Sequence, residues 1–363
     1  MDGVDKTTRA DAGAARSAGR TRTRILAWDL TALVVIGVLL VGALWAASVV
    51  AYRGLYSPEA FVSRYLSLLS EGRAADALAV PGVAVDSTDL TAAGLPATAS
   101  EALLRQAALA PLSDIEVESA VDEGDTVTVT VSYDAGPHRG TTSFTVERAG
   151  SIGLAPTWRF AASPLAVIDL SVRGSMQFSV NGFAIDKRQV LPEREDADPL
   201  ADVPLLVFSP GLYSIAVDTA VSTSPGVAVL SDKPRAVIPV GLQTQPTPEF
   251  VAVVQDEVEK FLTECTTQQV LQPTGCPFGF MVQNRIVDAP TWSMTTQPTV
   301  ALEPDGAGWK IPRTEATAHI RVDIRSIFDG SVREVDVDVP FFLTGAITML
   351  PNGSASIQVS PAD

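Results

Sequence analysis

Histidine is nearly absent from this chain: His138 and His319 are the only two in 363 residues. Cysteine is as scarce, with Cys265 and Cys276 alone, and lysine occurs five times against 21 arginines. Two histidines and two cysteines set far apart do not build a centre with metal-ligand spacing. A single C-x10-C pair is neither a CxxC redox motif nor a zinc site. GxSxG, HExxH, the P-loop and GxGxxG are all missing, so no catalytic, cofactor-binding or metal-binding residue is assigned. An excess of positive charge is missing too. The formal net charge is -16, which opposes binding to nucleic acid and to anionic surfaces.

What is present is a single unbroken apolar run, Leu30 to Tyr52, with no charged residue. As a helix it would extend roughly 34 Å, against about 30 Å for a bilayer core. A helix apolar on every face over that length fits a membrane span, expected over residues 25–53. Lys6, Arg9, Arg16, Arg20, Arg22 and Arg24 precede it, whereas Arg53 and Arg64 are the only basic residues in the next twenty. The bias places the N-terminus in the cytoplasm and residues 53–363 outside, in a single-pass plasma-membrane protein. A cleaved signal peptide is the alternative, because Ala46, Ala47 and Ser48 suit a cleavage site. The run is longer than the usual apolar segment of such a peptide, which favours an uncleaved anchor. No cysteine lies near it to carry a lipid. Residues 1–24, polar and basic, are expected to be a disordered cytoplasmic tail.

The charge is unevenly divided. Residues 1–28 carry six positive and three negative charges, and residues 53–363 carry 20 positive and 38 negative. The outer part is long enough for two or three domains. In an oxidising space Cys265 and Cys276 are expected to form a disulfide that closes a short loop after a helix.

Hydropathy periods divide the outer part into three. Over 57–162, Ser57-Pro58-Glu59 starts a helix with Phe61, Tyr65, Leu68 and Leu69 on one face. Short helices are expected at Ala74–Val80 and Ser100–Leu109. IEVESAV, TVTVTVSY and TTSFTVER then alternate in period two, and TWRFA adds a strand: an α+β unit. Over 165–240 only strands are expected, with Asn181-Gly182 as a hairpin turn and EREDADPLAD as an exposed loop, in a small β-sandwich. Over 248–363 a helix at Glu249–Leu271 precedes AHIRVDI, REVDVDV and ASIQV, with turns at Asp305-Gly306, Asp329-Gly330 and Asn352-Gly353. The fold class is therefore α+β behind one N-terminal transmembrane helix.

The segment PEAFVSRYLSLLSEGRAADALAV resembles the first helices of the nuclear-transport-factor-like cone fold, and TWRFA resembles its closing strand. The third unit is similar to a second copy. SVNGFAI and PGLYSIAV resemble small surface β-modules of the PEGA kind. The layout is similar to that of actinobacterial single-pass membrane proteins with cone-fold outer domains. More distantly it is similar to the teicoplanin-resistance-associated membrane proteins, although the zinc ribbon that some of those carry before the span is absent. The resemblance implies helices packed on curved antiparallel sheets, and cone mouths in which enzymes of the fold place His, Asp or Tyr.

The residues offer little for such a mouth. His319, Arg321 and Asp323 share one strand face, which on an antiparallel sheet is normally solvated. Asp336 and Asp338 read the same way. His138 falls in a turn. Glu193, Glu195, Asp196, Asp198 and Asp202 lack the spacing of a calcium loop. The expectation is a membrane-anchored binding or assembly protein of the cell envelope, without catalysis, whose partners are envelope proteins. The alternatives are a small-ligand-binding or sensing protein using a cone cavity and, behind it, an extracytoplasmic hydrolase or isomerase.

Overall fold

The computed structural model describes residues 18–153, 155–350 and 354–362, without the side chains of 18–30 and 48–53. The tail up to Ser17 and the turn expected at Asn352-Gly353 lie outside the described residues. The chain is a mixed α+β protein with several sheets and few helices.

Helix α1 (Ala18–Tyr56) is longer at both ends than the span expected over 25–53, and residues 18–24, expected in the tail, are helical. Alanine and arginine are good helix formers, and extending an existing helix is far easier than nucleating one. The apolar run lies inside α1, but both of its ends lie outside the side chains described. Those of 31–47 cover about 26 Å, short of the roughly 30 Å of a bilayer core. Among the described residues no helix is long and apolar enough to cross a membrane. Within 31–47 the apolar side chains face outward, with Leu33 73% and Trp45 71% exposed.

Only Ser57 separates α1 from α2 (Pro58–Ser70). Its hydroxyl accepts the Ala60 N–H at 3.2 Å and Pro58 opens the new helix, a stable helix start. Two short helices follow, α3 (Ala74–Leu78) and α4 (Ser87–Ala92), the latter held by a capping box between Asp86 and Asp89. An antiparallel meander comes next: β1 (Leu112–Asp122), β2 (Thr126–Ala135), β3 (His138–Ile152) and β4 (Ala155–Phe160). α2 buries Val62, Tyr65, Leu66 and Leu69 against it. The centre is filled by Tyr65, Phe144 and Phe160, whose rings meet edge-on with centroids 5.1 to 6.0 Å apart. Gly82 is required where the chain crosses β4: with φ at +84°, a Cβ there would lie 2.4 Å from the Phe160 carbonyl.

The middle segment forms β5 (Leu165–Arg173), β6 (Gln177–Val180), β7 (Phe183–Asp186), the single turn α5 (Lys187–Val190), β8 (Val203–Phe208), β9 (Gly211–Ala216), β10 (Ser222–Thr223), β11 (Val227–Ser231), β12 (Val237–Gln243) and β13 (Gln245–Pro246). Asn181 and Gly182 both take positive φ, 49° and 83°, as the two-residue turn between β6 and β7 requires. One sheet has the order β12-β5-β8, with β12 parallel to β5, and the other the order β11-β9-β6-β7. Ile168, Leu170, Leu205, Val207 and Leu242 from the first meet Phe178, Val180, Tyr213 and Ile215 from the second in one core.

The first sheet has two buried faces. Leu165, Val167, Leu206 and Phe208 point the other way, into the core of the first unit. This explains why LAVIDL reads as a nearly continuous apolar run rather than an alternating one. The segment Ser100–Leu109 is a correction. It is not a helix of the first unit but two 3-10 turns, Glu101–Leu103 and Gln106–Ala108, broken by the extended Arg105. Ser100 lies beside β8, donating its N–H to Pro204 and accepting that of Leu206. Leu103 and Ala108 sit in the second core. Satisfying the edge of β8 prevails over local helix propensity here.

The last segment holds α6 (Pro248–Thr266), β14 (Arg285–Ile286), β15 (Thr291–Thr296), β16 (Glu303–Asp305), β17 (Gly308–Arg325), β18 (Val332–Met349) and β19 (Ala355–Pro361). α6 stops five residues before the expected Leu271, as Thr263, Thr266 and Thr267 turn their hydroxyls back onto backbone carbonyls, a bonding pattern that competes with helix. Phe250, Val254, Val258 and Leu262 pack on Trp292, Ile320, Val322 and Phe341. Thr247 ties this unit to the previous one, its hydroxyl donating to the Ala220 carbonyl at 2.8 Å.

Candidate functional site

Cys265 and Cys276 form a disulfide, with Cα atoms 5.9 Å apart, and no described cysteine is free. The bridge fixes the loop that carries Phe278 onto Trp292 and Phe341, at centroid distances of 5.0 and 5.2 Å. Trp292 in turn donates its indole N–H to the Val270 carbonyl at 2.8 Å. The far face of this sheet is built by β17 and β18.

Polar residues on that far face pair across the strands in unbroken register: His319 opposite Asp338, Arg321 opposite Asp336, Asp323 opposite Glu334. His319 Nε2 lies 2.8 Å from Asp336 and Nδ1 lies 2.9 Å from Asp338. A neutral imidazole has one N–H, so both contacts are hydrogen bonds only when both nitrogens carry protons. Arg321 donates to Asp336 at 2.5 and 2.9 Å and reaches Glu334 at 3.4 Å. These partners hold the carboxylates below the usual range, Asp336 chiefly through Arg321 and Asp338 chiefly through His319 and then Thr295. The two carboxylates sit on opposite nitrogens of the ring, so they share no common point for a metal. Among the described residues no hydroxyl or thiol bonds to either ring nitrogen, and no group of acidic, histidine or cysteine side chains could hold a metal ion.

The edge of this face is open. β19 pairs only with Leu343–Met349 of β18. From Val332 to Phe341 the outer side of β18 has no strand partner among the described residues. Over that length the register with β17 has no bulge. The outward side chains are Val332, Glu334, Asp336 and Asp338; on the other face lie the exposed Arg333 and then Val335, Val337 and Val339, of which Val337 is 39% exposed.

The acidic loop has a different centre. Glu193, Glu195, Asp196, Asp198 and Asp202 lie on or beside a segment that wraps the buried Lys187. Its ammonium donates to the carbonyls of Val172 at 2.8 Å, Ala201 at 3.3 Å and Pro199. Burial pushes the lysine down in pKa, while Asp198 and Asp202 pull it back. The ammonium is held by backbone carbonyls rather than by the acidic side chains, and a sequence cannot mark one lysine as buried. His138 sits exposed at the start of β3.

Among the described residues, surface clefts lie elsewhere. One of about 370 Å³ runs between α4, the end of β4 and Arg235; one of about 470 Å³ lies between Ser100–Arg105 and Phe183–Val190; one of about 560 Å³ lies at the junction of α1 and α2. Arg105 and Phe183, stacked at 4.7 Å, both line the second. No protein-family model, curated protein or solved structure matches the chain.

Proposed function

We propose that the chain is a single-pass plasma-membrane protein of the cell envelope, with its N-terminus cytoplasmic and residues 53–363 extracytoplasmic. Its work is binding or assembly with other envelope proteins, and it carries out no catalysis. In this reading the apolar run Leu30–Tyr52 is the anchor. The outer part is a cone-like α+β unit, a small β-sandwich and a second helix-plus-sheet unit.

One observation supports this reading above the others: the chemistry-bearing side chains are engaged with one another. His319 is held between two aspartates, Arg321 between Asp336 and Glu334, and Lys187 among three carbonyls. None is left beside a nucleophile in a cleft, as acid–base or covalent catalysis requires. A ligand site inside the cone-like unit is opposed by the aromatic rings that fill its centre. The exposed apolar side chains of α1 support an environment other than water.

Proximity labelling from a tag fused after residue 363, in the native host, tests the reading. Labelled envelope proteins are expected. Labelling of cytoplasmic proteins alone would overturn the topology. A mature N-terminus near Val49, read by mass spectrometry, would replace the anchor with a cleaved leader.

A further inference from the structure

We propose that the open edge of β18, Val332 to Val339, is a docking strand for an extended, basic segment of an envelope partner, which adds to the sheet beyond β18. The inference rests on the binding function proposed above and names the chemistry of the partner.

An unpaired strand edge is a template for another strand, and proteins usually blunt it. Five other edges among the described residues are bulged, broken by proline, short or uncharged. β1 carries two register shifts and Asp114 at φ 47°, which twist an edge away. β12 contains Pro239, and β7 and β11 have four and five residues. β19 is regular but uncharged. The open part of β18 is regular, extends about 27 Å at roughly 3.4 Å per residue, and has no proline before Pro340.

Its side chains say what fits. A strand laid beside it would meet Val332, Glu334, Asp336 and Asp338 on one face, where the carboxylates are shared with Arg321 and His319, and Arg333, Val335, Val337 and Val339 on the other. Cross-strand neighbours stabilise when charges are opposite and apolar residues meet. The matching segment alternates lysine or arginine with valine or isoleucine. Strand addition gives affinity through the main chain and specificity through such alternate side chains. A second copy of this chain fits badly. Two copies paired antiparallel about Asp336 would set Asp336 against Asp336 and Glu334 against Asp338, and like charges directly opposite destabilise. In that register the charges that would recruit a basic strand oppose self-association.

The probe is a nine-residue peptide alternating lysine and valine, compared with a peptide of the same composition whose lysines are grouped together. Both are titrated onto the full chain in uncharged detergent micelles, with binding read by fluorescence anisotropy and the site by hydrogen–deuterium exchange. The alternating peptide is expected to bind at least tenfold more tightly than the grouped one and to protect amides of 332–341, but not those of β1. E334K/D338K is expected to weaken it at least tenfold. E116K/E118K, on the bulged edge, is expected to bind it like the wild type, which also controls for general charge. Equal binding of the two peptides, equal binding by E334K/D338K, or protection outside 332–341 would each overturn the proposal. Proximity labelling can still find envelope partners in any of those cases, so this proposal can fail while the binding function stands.

Discussion

Phe208 belongs to β8 by sequence and to the first core by packing, and this separates a fused structure from independent beads. The side chain is fully buried, among residues such as Tyr65, Leu66 and Phe144 that precede it by at least sixty positions. Replacing a buried phenylalanine by alanine costs about 3 to 5 kcal/mol. If β5 and β8 are a wall common to both cores, F208A should destabilise both units together. In hydrogen exchange, where each 1.4 kcal/mol is about tenfold, protection of β2 and β3 should fall by roughly two to three and a half decades, and that of β5 to β9 by the same amount. Leu343→Ala, in the third core and equally buried, costs roughly 2 to 5 kcal/mol. It should act on α6 and β17 and leave β2 and β3 protected. Exchange by mass spectrometry on the full chain reads all these segments at once. If F208A leaves β2 and β3 unchanged, the cores are thermodynamically separate and the shared-wall reasoning is wrong.

The disulfide closes a loop of sequence separation 11, so reduction should cost about 3 kcal/mol by the chain-entropy model. Calorimetry with and without reductant should show a lower melting temperature confined to the transition that contains α6. Lys187→Met keeps the volume but strips three carbonyls of their donor, which should cost roughly 3 kcal/mol; limited proteolysis should then cut within 191–202. Asp336 and Asp338 have folded-state pKa values depressed below their unfolded values near 4. Their stabilisation should therefore be complete above about pH 5 and lost as pH falls through the folded values. Urea melts from pH 2 to 6 should show a shallower pH slope for D336N/D338N than for the wild type; an equal slope would refute the pairing.

The strands were legible because one face of each is wet. TVTVTVSY, AHIRVDI and REVDVDV alternate, and Asn181-Gly182 supplies the left-handed turn that a tight hairpin demands. What alternation does not encode is the neighbour. β5 lies between parallel β12 and antiparallel β8, and its apolar run looks the same whether one core or two cover it. Ser100–Leu109 has the composition of a helix, yet its first residue bonds to β8 and the rest forms two 3-10 turns. The start of α4 carries capping-box spacing at Asp86 and Asp89, but no apolar run follows to strengthen the signal. Lys187 carried no mark of burial. The open edge of β18 was invisible because it depends on β19 being shorter than β18, a comparison made only once the two strands are paired.

The joints between units bear on how the proposed binding edge is presented. α1 passes into α2 through Ser57 alone, and the Trp158 indole donates to the Tyr56 carbonyl at 2.8 Å, fastening the end of α1 to β4. The first core continues into the second through β5 and β8. The second is joined to the third through Thr247, and through Gly174, where a Cβ would lie 3.4 Å from the Trp309 ring. A Gly/Ser linker at any of these points would let the outer units reorient freely, and effective concentration towards a partner in the same membrane would fall with the added reach. The chain has packed or hydrogen-bonded contacts there instead. In the proposed topology the orientation of α1 therefore sets the height and direction of β18. In the proposed docking, an acidic edge held in that way would select partners whose basic strand lies at a matching height, in addition to matching charge.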